Sequence, residues 1–154
     1  MTREIFWGTQ IAQITRIDTN FSTENMDRRE VVPKKIVDTI LKCFYRVHND
    51  LGYGFLERVY QNAMYYALID EGLKCEAETP IKVYHNKRVV GDYRVDLLVE
   101  DCVMLELKTK EEFCRADELQ LVNYLKATEI EIGYVLNFGT SAEFKRKIFT
   151  NDRK

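Results

Sequence analysis

The sequence predicts a single α/β domain, and three observations support this prediction. The chain has 154 residues, 45% of them apolar, which is enough for one domain with a substantial core and too short to argue for two. From Pro33 the apolar residues recur at three- and four-residue steps, which is typical of helices. Between Cys75 and Thr109 they recur at every second residue, as in strands, and helical spacing returns at Ala116.

The first 32 residues are predicted to be an extension that precedes the domain at residues 33–154. They mix Phe6 and Trp7 with many polar residues and end in a charged run from Asp27 to Glu30. The pattern does not specify whether this segment is ordered. Phe6 and Trp7 are candidates for a dimer surface, although core packing is the commoner use of such residues. A homodimer is therefore left open.

Two helices are predicted at the start of the domain. The first begins at Pro33, because proline fits the first turn of a helix, and ends near Asn49. The second runs from about Phe55 to Glu71, and Gly72 ends it. Its predicted apolar stripe consists of Leu56, Val59, Ala63, Tyr66 and Ala67, and its opposite side carries Glu57, Tyr60 and Gln61.

The remaining elements are predicted from alternation and from turn residues. Three antiparallel strands should lie between Cys75 and Thr109, with a turn near Asn86 and Lys87. A third helix, one more buried strand and a candidate last strand follow, at Ala116–Thr128, Gly133–Asn137 and Glu143–Thr150. The predicted order is α-α-β-β-β-α-β, with the last strand as an addition.

Alternation in the second and third strands predicts their register. The residues expected to line one core are Val95, Leu97 and Val99 in one strand and Val103, Leu105 and Leu107 in the other. If these faces coincide, the connecting loop must contain an odd number of residues. With the three-residue loop Glu100-Asp101-Cys102, Val99 pairs with Val103. That register sets Asp96 opposite Glu106 and Arg94 opposite Lys108, on the face turned away from the core, with the Cβ atoms of each pair about 5 Å apart.

This arrangement of acids favours metal-dependent hydrolysis of phosphodiester bonds. Two neighbouring carboxylates, Asp96 and Glu106, could share a Mg²⁺ or Mn²⁺ ion, which polarises a phosphoryl oxygen and lowers the pKa of an attacking water. Lys108 lies two residues further along the same strand and could orient that water or stabilise developing negative charge. Gln120 and Tyr124 stand at helical i and i+4 positions and could face the same cleft.

Other interpretations of these residues stay open at this point. Acids and a lysine on a strand can also form a solvent-exposed surface of mixed charge with little energetic value. A binding module that keeps the fold without turnover is a second class, recognising nucleic acid or a protein. A third class is an enzyme that acts on a small phosphorylated molecule, which would need a closed pocket.

Overall composition limits the kinds of partner and of metal site. The formal net charge is -2, so any binding of nucleic acid must depend on a local basic patch. The candidates near the acids include Arg94, Lys108, Lys110, Arg115 and Lys126. The four cysteines form no CxxC pair, so neither structural zinc nor a disulfide framework is predicted.

The sequence also predicts where the protein works. The amino terminus lacks the charged-then-apolar run of a secretion signal, and no stretch approaches the roughly 20 apolar residues that span a bilayer. We therefore expect a cytoplasmic protein that does not contact a membrane.

Several motifs resemble a known family. The run Leu51–Tyr60 looks like the signature of the GxxExxY proteins, here Gly54, Glu57 and Tyr60, a group placed in the PD-(D/E)XK nuclease superfamily. The likeness continues, in the right order, through Gly91–Val99, Leu105–Lys108, Gln120–Leu125 and Gly133–Gly139. Two departures are Val95, which replaces the proline before the motif's Asp, and Asp117, where similar sequences often have His.

The resemblance implies a fold, an activity and roles for individual residues. The implied fold is a restriction-endonuclease-like core, with a mixed central sheet flanked by helices, and the implied substrate is nucleic acid, with DNA expected. Asp96 and Glu106 would be metal ligands, with Glu57 as an accessory acid at the metal and Lys108 as the catalytic lysine. Gln120 would contact the scissile strand. Arg94, Lys110 and Tyr124 are the remaining candidates for nucleic-acid contact.

Overall fold

The computed structural model describes residues 32–154. The predictions made for the preceding extension, including Phe6 and Trp7, lie outside the described residues. The helices are α1 (Lys34–Leu51), α2 (Glu57–Asp70) and α3 (Arg115–Lys126), and a short 3-10 turn covers Asn151–Arg153. The strands are β1 (Cys75–His85), β2 (Arg88–Val99), β3 (Val103–Lys108), β4 (Ile132–Phe138) and β5 (Ala142–Ile148). The predicted element order is confirmed, including the last strand.

Residues 32–154 form a five-stranded mixed sheet in the order β1-β2-β3-β4-β5. All neighbouring strands are antiparallel except β3 and β4, which run parallel and are connected through α3. A parallel pair needs such a crossover, because a tight turn can join only antiparallel strands. The two hairpins of the meander turn through residues in the left-handed region: Asn86 and Lys87 in the first, and Glu100 and Asp101 in the second.

Helices α1 and α2 pack on one face of the sheet. Alternating side chains of the three central strands meet the apolar sides of both helices in a single cluster. Ile40, Phe44 and Leu68 are fully buried in this cluster. On the strands, the predicted core residues Leu97, Val99, Val103, Leu105 and Leu107 all belong to it. Val95 is also fully buried but does not belong to this cluster.

The predicted apolar stripe of α2 is largely wrong. Leu56, just before the helix, and Tyr66 are 81% and 65% exposed, and Val59 is also exposed. The side that faces the core instead consists of Tyr60, Gln61, Met64, Ala67 and Leu68. This side includes two of the three residues that were assigned to the opposite face. The reason is that Tyr60 and Gln61 bury their polar atoms with hydrogen-bond partners, which hydropathy does not reveal.

The second face of β3 is also buried, which argues against the alternative of a solvent-exposed surface of mixed charge at Glu106. Every residue of β3 except Lys108 is buried, so both of its faces are packed. Leu121 of α3 lies so close to Gly133 of β4 that a Cβ there would come within 2.7 Å of its Cδ1. Met104 and Glu106 lie on this second face and are both buried, while α3 packs over the neighbouring strands β4 and β5. Of the candidate acids, Glu106 is buried, and Asp96 and Glu57 are partly buried.

The predicted register of β2 and β3 is confirmed, but the ladder is shorter than predicted. The pairs are Leu97 with Leu105, Leu98 with Met104 and Val99 with Val103. The ladder ends there, so Asp96 with Glu106 and Arg94 with Lys108 are not ladder pairs. The two strands separate at the point where the acids begin.

No helix within residues 32–154 combines the length and the apolar character needed to cross a membrane.

Candidate active site

Glu57 is the first residue of α2, and a clamp around Tyr60 fixes where that helix starts. The Tyr60 hydroxyl donates to the Gly52 carbonyl at 2.6 Å and accepts from the Phe55 amide at 3.3 Å. Its ring stacks on Phe138 of β4, with the ring centroids 4.6 Å apart. Gly52 lies in the left-handed region at φ 69°, which glycine adopts readily. Gly52 and the motif residue Tyr60 thus orient the helix that carries the acid.

Asp96 lies at a break in the sheet on both of its sides. On one side the β1–β2 ladder passes from Ala77–Leu97 to Thr79–Val95 and omits Glu78, whose φ is 55°. On the other side the β2–β3 ladder has already ended. In place of backbone pairing, Asp96 Oδ2 accepts a hydrogen bond of 2.7 Å from the Leu107 amide. The side chain is therefore fixed at the gap between the strands.

Gln61 of α2 forms hydrogen bonds to both strands at this break. It is 5% exposed, and its Nε2 donates to the Asp96 carbonyl at 3.0 Å and to Glu78 Oε1 at 2.9 Å. Arg58 in turn donates to Gln61 Oε1 at 3.3 Å. The side-chain amide thus replaces the strand partner that the Asp96 carbonyl lacks. Sequence reasoning did not select Gln61, although its i, i+3, i+7 spacing with Met64 and Leu68 would have indicated a core-facing position.

Glu106 is the most deeply buried of the three candidate acids Glu57, Asp96 and Glu106. It is 3% exposed, and its Oε1 accepts a hydrogen bond of 2.9 Å from Lys108 Nζ. Its Oε2 is buried and, among the described residues, accepts no hydrogen bond. A buried carboxylate oxygen without a partner is costly in the folded protein unless the group is protonated or a cation binds there.

Burial and neighbouring carboxylates raise the pKa values of the three acids. Burial, followed by the charge of Asp96, raises the pKa of Glu106 to about 7. Burial also raises the pKa of Asp96, although the hydrogen bond from the Leu107 amide opposes the rise. Burial and, more weakly, Asp96 raise the pKa of Glu57, against the effect of Lys108. Ionisation of all three carboxyl groups together is therefore opposed, although Lys108 partly offsets this effect.

Lys108 is the positive charge within this group of acids. Its side chain is only 13% exposed. Burial opposes its charge, yet Glu106, with Glu57 and Asp96, outweighs that effect and raises the pKa of Lys108. The ammonium group is therefore charged at neutral pH and is directed at Glu106.

The chain that leaves β3 is fixed by Asn137 of β4. Its side-chain amide accepts from the Lys110 amide at 2.9 Å and donates to the Lys110 carbonyl at 2.8 Å. Lys110 Nζ then donates to Asp117 Oδ1 at 2.6 Å, and the hydrogen bonds from Lys110 and Cys114 lower the pKa of Asp117 despite its burial. Asp117, one of the two departures from the motif, thus holds Lys110 beside α3. Asn137 is a second residue whose positioning role sequence reasoning missed.

The candidate residues on α3 and at the rim are only partly brought together. Gln120 Nε2 donates to the Tyr124 hydroxyl at 2.8 Å, so the predicted i, i+4 pair is formed. Burial and then Glu106 raise the pKa of Tyr124, against the hydrogen bond from Gln120, so the phenol lies near the acids. Arg94 is exposed and donates to the Glu78 carbonyl at 3.4 Å. It does not meet Lys108 across the strands.

Comparison with known proteins decides the family. A model of the PD-(D/E)XK nuclease superfamily matches residues 34–148, which include every element from α1 to β5. The chain belongs to the PD-(D/E)XK nuclease superfamily. The mixed sheet flanked by helices is consistent with the restriction-endonuclease-like fold that this superfamily implies. Membership of the GxxExxY proteins within it stays a prediction.

The other comparisons add little to the superfamily assignment. No curated protein matches the chain significantly. Among solved structures, one titled "Crystal structure of SSO0001" is similar at 12% identity and a TM-score of 0.40, over 92% of this chain and 74% of that chain. At that TM-score the likeness supports no conclusion about fold or function.

PD-(D/E)XK nucleases usually use divalent metal ions, and the donor set here can be compared with that need. Within residues 32–154, no group of three or more His, Cys, Asp or Glu side chains is arranged to hold a metal ion. Mg²⁺, however, is commonly bound through one or two carboxylates, with water and substrate phosphates completing its shell. Two features fit such a site. Oε2 of Glu106 has no hydrogen-bond partner among the described residues, and burial raises the pKa of Asp96.

Proposed function

We propose that this protein is a metal-dependent nuclease that hydrolyses phosphodiester bonds of DNA through Asp96, Glu106 and Lys108. The observation that carries the proposal is the buried Oε2 of Glu106, which has no hydrogen-bond partner among the described residues and lies in the electrostatic environment of Asp96 and Glu57. A divalent cation would remove the cost of ionising these acids together. The expected ion is Mg²⁺ or Mn²⁺. We expect the protein to be a nuclease of the GxxExxY type and to work in the cytoplasm.

The chain's own residues would divide the work as follows. Asp96 and Glu106 would hold the ion, with Glu57 as an accessory acid, and the bound ion would polarise the phosphoryl oxygen and lower the pKa of a water. Lys108, held at 2.9 Å from Glu106, would orient that water or stabilise negative charge as it develops on the phosphate. Gln120, Lys110, Tyr124 and Arg94 would contact the substrate strand.

A nuclease assay with matched variants tests this proposal. The wild type should cleave at least one of single-stranded, duplex or branched DNA, or RNA, when Mg²⁺ or Mn²⁺ is present. Glu106→Gln and Lys108→Ala should each lose at least about 100-fold in rate while keeping the fold, because each removes a charge that acts on the developing transition state. Circular dichroism checks the fold.

Exposed substitutions of the same chemistry serve as controls. Glu112→Gln and Lys35→Ala change residues at the surface and should cleave like the wild type. If the wild type binds nucleic acid but cuts none of these substrates with either metal, the protein is a binding module with this fold. Cleavage of nucleotides alone would instead indicate an enzyme for small phosphorylated molecules.

A further inference from the structure

A groove runs beside the acids between the β1–β2 hairpin and α3. Its volume is about 780 Å³. The hairpin contributes Tyr84 and Tyr93, and α3 contributes Gln120, Asn123, Tyr124 and Lys126. It lies near the candidate active site, because Tyr93 and Asp96 belong to the same strand, β2.

The groove lies near the acids along β2. The Tyr124 ring lies 5.8 Å from the ring of Tyr93, and its hydroxyl accepts from Gln120 at 2.8 Å. Tyr93 stands three residues before Asp96 on the same strand, which is about 10 Å along a strand. A chain molecule with one phosphate at the acids would therefore reach the groove with its neighbouring units.

The lining of the groove indicates the chemistry of its occupant. Tyr84 and Tyr93 are 58% and 50% exposed, so large aromatic faces are available to a ligand. The side chains of Gln120 and Asn123 offer amide donors and acceptors, and Lys126 offers a positive charge. None of the described residues that line the groove is acidic. Aromatic faces with amides and a cation, free of carboxylates, suit nucleobases on an anionic backbone, and stacking on such faces tolerates any base.

We propose that this groove holds unpaired bases of the substrate, so that the site acts on single-stranded or splayed nucleic acid. The inference rests on the proposed function, since it takes the neighbouring acids to be the cleavage site. Bases of an intact duplex are stacked on one another and cannot present their faces to Tyr84. An unpaired strand leaves its bases free to stack there while its backbone passes the acids.

Binding without cleavage tests the groove separately from catalysis. Fluorescence anisotropy with a labelled deoxyoligothymidine, in EDTA, should give Tyr84→Ala an affinity about tenfold weaker than that of the wild type. Tyr84→Trp should restore the affinity, because indole stacks at least as well. Its added fluorescence, measured against that of the wild type with Trp7 alone, should be quenched by the oligonucleotide. Tyr66→Ala, which removes a 65% exposed tyrosine of α2, is the matched control and should bind normally.

Two results would contradict the proposal that the groove binds unpaired bases. Each of them can be distinguished from a failure of the nuclease proposal. Equal affinities of the wild type, Tyr84→Ala and Tyr66→Ala for the single strand would contradict it. Binding of a blunt duplex that depends equally on Tyr84 would also contradict it. If Tyr84→Ala weakens binding of the single strand while the wild type cuts nothing with Mg²⁺ or Mn²⁺, the groove stands and the nuclease proposal fails.

Discussion

The ionisation of Glu106, a buried acid, is expected to affect the stability of the folded protein. Its pKa of about 7 lies above the ordinary value of 4.5, mainly because of burial and then because of Asp96. Between those two pH values the folded protein holds a proton that the unfolded chain has lost. Stability therefore falls as the pH rises through this window and levels off above about 7.

Replacing Glu106 with glutamine should remove most of this pH dependence. A shift of this size corresponds to about 3 kcal/mol, so in EDTA at pH 8 Glu106→Gln should be more stable than the wild type by up to that amount. At pH 4.5 the two should be nearly equal. Urea denaturation across this range measures the difference, with Glu112→Gln as the control. Parallel pH profiles for the wild type and Glu106→Gln would contradict the burial argument.

Gln61 is expected to be a positioning residue for Asp96. Gln61→Leu keeps a similar volume but removes the donor to the Asp96 carbonyl. The carbonyl is then left without a partner, which should lower the free energy of unfolding by about 1–3 kcal/mol. If the protein cleaves nucleic acid, kcat should fall by about 10- to 100-fold with little change in KM, because the acid shifts while the substrate contacts remain. Asn62→Leu, on the exposed side of the same helix, is the control. A rise in KM with kcat unchanged would instead place Gln61 in substrate binding.

The elements were easier to predict than the faces they bury. Periodicity gave every helix and strand of the described residues, because the switch between helical and two-residue spacing is strong in this sequence. It also gave the register of β2 and β3, because a loop of odd length was needed to align the two apolar faces. The orientation of α2 was wrong, since Tyr60 and Gln61 are buried through specific hydrogen bonds to distant backbone atoms.

A pair of alanine substitutions on α2 tests its corrected orientation. Met64 is fully buried, so Met64→Ala should cost about 2–5 kcal/mol through the cavity it leaves. Tyr66 is largely exposed, so Tyr66→Ala should change the free energy of unfolding by less than about 0.5 kcal/mol. Chemical denaturation of both variants measures this contrast. The opposite ranking would restore the orientation predicted from the apolar stripe.

The candidate residues were chosen from the sequence, and their role in a site stays a prediction, whereas their surroundings could not be predicted. Asp96, Glu106 and Lys108 followed from strand alternation, and Glu57 from the motif. The burial of the second face of β3 was not predicted, because it depends on long-range packing that strand alternation does not reveal. That burial is the largest contribution to the raised pKa of Glu106.

At the scale of the whole molecule, binding of a metal ion should be visible as added stability. An ion that binds only the folded state stabilises it by about 2.7 kcal/mol at 100 times its Kd, which corresponds to a rise in Tm of about 5–10 °C for a domain of this size. Mn²⁺ should therefore raise the Tm of the wild type. Asp96→Asn keeps the acceptor for the Leu107 amide but loses the charge, and its Tm should rise much less. Equal rises in both proteins would place the ion elsewhere.

The separation of β2 from β3 at Asp96 has a consequence for protein engineering. Two neighbouring strands stop pairing where an acid side chain enters, and a buried, ionisable group lies beside the gap. Apolar substitutions at 96 and 106 would let the ladder extend and would remove the charges from the interior. A random library screened for heat resistance alone should therefore enrich changes at these two positions. If the protein cleaves DNA as proposed, the most heat-resistant variants should have lost that activity.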